Sequence, residues 1–318
     1  MQHYLEPVWR DYYTVRLFEG TAPEIAARNS RLICDAFSRS DYVMIRPGRY
    51  FVDPFRLESR NRLFLNARGV YLLPSRACAG RNIIEIHGTS MTIEGLRMRP
   101  HIPTHLPASY IQLARSGYAP NGQGADPGTK FFACEIFGLA TTAVLDNRGA
   151  ELFESYGCLW ANSADEVQVP APTVRIQNLG STTRFTFTGG QITNVDTNGT
   201  SACVQTIGHV QELAFDGVYF MSGGGHGVLA NGLASPNFYL DRLSLNGCRM
   251  EGNGSLVKAD GAFIRHAEAK RNFHEGKNNL PMFHYPNSNA FFNNLSSSGN
   301  ETYSTAGIAL VDPALAPS

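Results

Sequence analysis

The chain has 318 residues, 43% hydrophobic and 17% charged, with 27 basic and 27 acidic side chains. Zero formal charge lacks the basic field that a phosphate backbone demands, so no nucleic-acid partner is expected. No apolar run reaches the roughly eighteen residues of a membrane span, so none is expected either.

Residues 1–20 carry Trp9, Tyr12, Tyr13 and Phe18 and no basic-then-apolar leader, so they read as an attachment segment or a flap. Thr21 and Glu24 stand at capping-box spacing and Pro23 suits a first turn. A helix is therefore expected to run to about Ser38, with Ile25, Ala26, Leu32, Ile33, Ala36 and Phe37 on its apolar face.

From residue 43 one phrase recurs: apolar, any, apolar, any, small, any, any, apolar. Its copies begin at Val43, Leu63, Met91, Phe185, Leu213 and Leu243, and weaker copies centre on Cys134 and Gly157. The alternation buries one face of a strand, the small residue lets the chain bend, and the last apolar residue returns to the core. A strand-sized unit returning every 20 to 39 residues marks a solenoid. Apolar runs at Ile83–Ile86, Val174–Ile176, Cys203–Val204 and Val228–Leu229 add a second strand to the coils. No unit has the 3.6-residue stripe of a helical repeat. The expected fold is an all-β parallel β-helix over residues 21–260, closed at its N-terminal end by the amphipathic helix, with strands stacked about 4.8 Å apart.

Residues 99–129, with Pro100, Pro103, Pro107, Pro120 and Pro127, are expected to form one long excursion, functional or at a subunit contact. His101 and His105 have no carboxylate or thiol close by, so no metal site and no cofactor are expected. Six cysteines occur without a CxxC pair and are expected to be buried thiols in a reducing compartment. After Lys258 the phrase fades, and residues 261–318 read as a C-terminal cap or tail.

Residues between the apolar positions face outward and stack into columns. Just before the bend these read Arg46, Asn66, Glu94, Ala133, Tyr156, Thr188, Asp216 and Asn246. Two residues after the bend they read Arg49, Gly69, Arg97, Ile136, Leu159, Gln191, Tyr219 and Arg249. Asp216, Tyr219 and Arg249 are thus expected on one outer face, joined by Glu154. Acid, aromatic ring and arginine suit a sugar ring and its anionic groups. Turns after the bend add Asp165, Glu166, Asn194, Asp196 and the run Gly225, His226, Gly227.

The cap helix, the strand carrying Pro47, Gly48 and Tyr50, and the alternation ending at Gly69 resemble the opening of the pectate-lyase-like right-handed β-helix superfamily. This holds over roughly residues 21–98, and the coil rhythm extends it to about 260. The order Asn194, Asp196, Asp216, Gly225-His226-Gly227 and Arg249 is similar to that of polygalacturonases, one branch of this fold. The resemblance implies Asp196 and Asp216 as acid and base, His226 as an orienting group and Arg249 as a substrate clamp, with Glu154 and Tyr219 completing the binding face. It further implies a polysaccharide-binding, glycan-cleaving protein of the phage tailspike type, a homotrimer assembled in a host cytoplasm and carried on a virion. The alternatives are a non-enzymatic structural or adhesive tail protein, and a stand-alone uronate lyase or epimerase, secreted or cytoplasmic.

Overall fold

The computed structural model describes residues 12–58, 62–87, 90–100, 105–114, 128–163, 170–178, 184–195, 201–231, 239–277, 279–285 and 291–308. Three parallel sheets of 11, 10 and 9 strands wind as one solenoid, and each strand pairs with its counterpart one coil away. Sheet I begins with Tyr13–Val15 and continues with the strands of the recurring phrase, from Tyr42–Ile45 to Phe291–Ser298. Sheet II holds the short strands after each bend, from Gly48–Val52 to Glu301–Thr302. Sheet III holds the apolar runs, from Phe55–Glu58 to Phe283–His284. Sequence reading found eight strands of sheet I and four of sheet III, and the single returning apolar residue was the trace of sheet II. No helix among the described residues is long and apolar enough to cross a membrane.

The phrase works as its pattern requires. Leu243, Leu245 and Met250 are buried, as are Phe185, Phe187 and Ile192, and Leu213, Phe215 and Phe220. Inside the coils the aromatics stack along the axis, with Phe153 5.0 Å from Phe185 and Phe187 5.2 Å from Phe215. Trp160 closes this core and donates its ring N–H to Ser155.

Between sheets I and II the chain turns through a column of left-handed residues. Gly95, Ala133, Gly157, Gly189, Gly217, Gly247, Arg271 and Gly299 have φ between 49° and 68°. The amides from Gly95 to Arg271 each donate to the carbonyl just before the bend of the next coil, at 2.7–3.0 Å. The residue after the bend points inward, which places Cys134, Cys158 and Cys248 in the core as free thiols.

Three expectations are corrected. The helix spans Pro23–Arg39 with Ala22 as its cap residue and no side-chain cap, so Thr21 and Glu24 form no capping box, and Pro23 opens the helix. Its buried face includes Asn29, which bonds the backbone of Phe18 and the Phe51 carbonyl and so ties the cap to the first coil. The excursion at 99–129 contains a sheet III strand, Ser109–Ala114; His101 lies outside the described residues. The coils do not end near Lys258. Phe263–Lys270, Phe273–His274 and Phe283–His284 form another coil, and Phe291–Ser298 with Glu301–Thr302 begin the next.

Candidate functional site

The bends decide which side chains share a face, and they split the expected group. Asp216 ends a sheet I strand, in register with Thr188 and Asn246, and its carboxylate accepts from the Asn246 amide at 2.7 Å. The turn through Gly217 and buried Val218 then carries the chain onto sheet II, so Tyr219 and Arg249 belong to a different face from Asp216. Glu154 lies on sheet I, two coils and two residues from Asp216, roughly 12 Å by coil and residue spacing. Asp165, Glu166 and Asp196 lie outside the described residues. The columns also need correction. Met44 replaces Arg46 and Phe132 replaces Ala133 on sheet I, while Tyr71 replaces Gly69 and Glu135 replaces Ile136 on sheet II. The second coil turns through Ala67, Arg68 and Gly69 rather than one small residue, and in the fourth coil Ala133, not Cys134, is the left-handed residue.

His226 stands at the corner where sheet II passes to sheet III. It is buried, and its Nδ1 accepts from the Ser255 amide at 3.1 Å. A Cβ on Gly227 would sit 2.7 Å from the Leu256 carbonyl oxygen, and one on Gly225 2.8 Å from the Ser201 carbonyl carbon, so both glycines answer to neighbouring coils. Burial, then the nearby Lys258 and His284, push the His226 pKa down to about 3 against a weak pull from Asp260. A folded pKa below the unfolded one means the unfolded chain takes the proton first. The stabilisation is full above pH ~6.5 and is lost as pH falls toward 3. We expect this group to remove about 3 kcal/mol of stability between pH 7 and pH 4. Denaturant titrations of the wild type and His226→Gln at both pH values check this, and an equal acid loss in the two proteins refutes it.

Around Tyr219 and Arg249, sheet II builds a compact cluster. The Tyr219 hydroxyl donates to Glu251, and burial together with that carboxylate pushes the phenol up to about 12. The Arg249 guanidinium lies 3.7 Å from Glu251 and sits between two rings, 5.7 Å from Tyr219 and 5.4 Å from Phe273. Tyr303 extends the aromatic column, edge-on to Phe273 at 5.2 Å.

Glu275 is the residue sequence reading missed. Met250 pairs with His274, and the Glu275 amide donates to the Met250 carbonyl at 3.0 Å. Glu251 and Glu275 are therefore direct neighbours on adjacent coils, with backbones about 4.8 Å apart. Both point outward, because Met250 and His274 are buried. One Glu275 oxygen lies 3.4 Å from Lys277, and the other is buried with no hydrogen-bond partner. The signal was present: Ala267, Ala269 and His274 continue the phrase, but Arg271 occupies the bend where a small residue was sought.

Two carboxylates this close, with an arginine and a ring surface beside them, can protonate a leaving oxygen on one side and attack or stabilise a cationic carbon on the other. Among the described residues no cluster of His, Cys, Asp or Glu is arranged to hold a metal. No family model, no curated protein and no solved structure matches this chain.

Proposed function

We propose that this β-helix binds a polysaccharide across the sheet II face of its later coils and cleaves it there by hydrolysis, with Glu251 and Glu275 as the paired carboxylates. One observation carries this reading: the two carboxylates lie one coil apart beside Arg249 and the Tyr219–Phe273 surface. Tyr219 and Phe273 offer sugar-stacking surfaces, and Arg249 offers hydrogen-bond donors to hydroxyls or a uronate carboxylate. Glu251, positioned by the Tyr219 hydroxyl, attacks the anomeric carbon as Glu275 gives its proton to the departing oxygen. Water then opens the glycosyl ester and returns a proton to Glu275, so both groups are regenerated. Asp216 and His226, on other faces, take no part in these steps.

The tailspike setting is part of the same proposal and rests on the resemblance of residues 21–98. It implies three chains side by side, so light scattering should return three times the 34.8 kDa chain mass. A monomer would favour the stand-alone enzyme. A second reading, a non-catalytic adhesive solenoid, is favoured by the spread of Glu154, Asp216 and His226 over sheets I and III. Release of reducing ends from neutral and uronate-containing polysaccharides separates the two. Turnover that depends on Glu251 and Glu275 supports cleavage; binding without turnover at any pH from 4 to 8 leaves the adhesive reading.

A further inference from the structure

Three coils carry a cysteine just after the bend between sheets I and II, and two of those coils are neighbours. Glu135 pairs with Leu159, and the Leu159 amide donates to the Cys134 carbonyl at 2.8 Å. Cys134 and Cys158 are therefore direct neighbours across one coil step of about 4.8 Å. Both thiols take the same pose. Each Sγ lies 3.4 Å from the carbonyl oxygen two residues back, that of Phe132 for Cys134 and that of Tyr156 for Cys158. The Cys134 amide also points at the Cys158 sulfur, at 3.4 Å. Cys248 is the internal contrast. It holds the same position after its bend, but its coil neighbours are Val218 and Asn272, and its amide donates to the Asn272 side-chain oxygen at 2.8 Å. Cys34 lies on the helix, Cys78 in a short 3-10 turn and Cys203 on sheet III, so none of them belongs to this column.

We infer that Cys134 and Cys158 form a redox pair, closing into a disulfide between the fourth and fifth coils when the folded protein meets a peroxide. A Cα spacing of one coil lies inside the range of roughly 4.4–6.8 Å that disulfides span. Stacked Cβ atoms at the same spacing stand a few tenths of an ångström beyond the usual span, so the bond closes under slight strain and stays open to reduction. The Cys134 thiol bonds the Cys158 sulfur and holds its pKa below the ordinary thiol value against burial, whereas burial pushes the Cys248 thiol up to about 11. Cys158 is thus the nucleophile of the pair and Cys134 the resolving thiol. The corner beside Cys158 is built from Gly157 and, on the next coil, Gly189 and Gly190, so no side chain covers it from these positions. A Cβ on Gly157 or Gly189 would meet nothing within 4 Å.

The chemistry takes two steps. The Cys158 thiolate attacks one oxygen of hydrogen peroxide, the O–O bond breaks, and the departing hydroxide takes up the proton that the thiol gave, leaving as water. Cys158 is then a sulfenic acid. The Cys134 sulfur attacks the Cys158 sulfur, the S–O bond breaks, and hydroxide leaves as a second water with the Cys134 proton. Two thiols lose two electrons and two protons, and one peroxide is reduced to two waters. The pair is independent of the sheet II carboxylates, so it stands whether or not the protein cleaves a glycan.

The test uses the full chain carrying Cys34→Ser, which removes the half-buried thiol and leaves the five buried ones. Dilute hydrogen peroxide should lower the mass by about 2 Da, the two hydrogens lost to a disulfide. Digestion after alkylation should return one cross-linked peptide pair, Cys134 to Cys158, and dithiothreitol should release it. Adding Cys134→Ser keeps a hydrogen-bond donor beside Cys158 but removes the resolving sulfur. In that variant dimedone, which traps sulfenic acids, should label Cys158 at least about tenfold faster than Cys248 of the same chain. Equal labelling of Cys158 and Cys248, a cross-link that forms only in denaturant, or no cross-link with the fold intact by circular dichroism would each overturn the inference.

Discussion

Glu275→Gln is expected to reduce glycan cleavage by about 10²–10⁴-fold while changing polysaccharide affinity by less than about threefold. Glutamine keeps the shape and the outward direction of the side chain but has no proton to give to a leaving oxygen. Glu251→Gln should lose as much, because an amide cannot form the glycosyl ester, although its oxygen still accepts the Tyr219 hydroxyl. Arg249→Ala should instead raise KM, since the guanidinium supports a ring surface and a carboxylate rather than moving a proton. A backbone spacing of one coil, about 4.8 Å, is compatible with the roughly 5–5.5 Å carboxylate separation of retaining enzymes. Proton NMR of the first product should therefore show the substrate's own anomeric configuration. Inversion would require a wider pair, and turnover unaffected by Glu275→Gln would remove the cluster from catalysis. Asp216→Asn is the internal control. Its carboxylate is bonded to Asn246 on sheet I, so the substitution should leave cleavage within about twofold of wild type.

The solenoid was legible because its signal repeats. A period-2 alternation followed by a bend needs only Leu243, Leu245, Gly247 and Met250 to be seen, and eight approximate copies average out irregular turns. The columns were less legible because register depends on every residue in a turn. The extra turn residues at Arg68 and Gly69 shift the second coil, and Ala133 in a left-handed conformation shifts the fourth by one. A shift of one residue exchanges inside for outside, which is how buried Ile136 was placed where Glu135 stands. The grouping of Asp216 with Tyr219 failed for a related reason. Alternation reports inward or outward, but not which of three faces is meant once a corner intervenes. The turn expected over Gly223–Gly227 is confined to Gly223–Gly225, since His226 and Gly227 open a sheet III strand, and the surroundings of the imidazole come from Ser255, Lys258 and His284 on later coils.

The corner geometry itself supplies the largest expected change in stability. Gly189 and Gly190 both have positive φ, +60° and +78°, so a rule based on backbone angle alone assigns them similar costs. The surroundings differ. A Cβ on Gly189 meets nothing within 4 Å, and Ala133 and Arg271 already occupy the equivalent bend on other coils. Gly189→Ala should therefore cost only about 1 kcal/mol. A Cβ on Gly190 would lie 2.7 Å from the Cys158 amide nitrogen and closer still to its carbonyl oxygen, all backbone of the coil beneath. Backbone cannot rotate away as a side chain does, so relief requires prising two coils apart. Gly190→Ala should cost about 4 kcal/mol or more in denaturant unfolding. The displacement would also travel, because the Gly190 carbonyl accepts from the Tyr219 amide at 3.1 Å. Glycan binding by the sheet II cluster should therefore weaken in Gly190→Ala and not in Gly189→Ala. Equal stability losses in the two variants would show that the coils at this corner separate easily, and the rigidity that holds Glu251 and Glu275 in register would then have to come from the later coils alone.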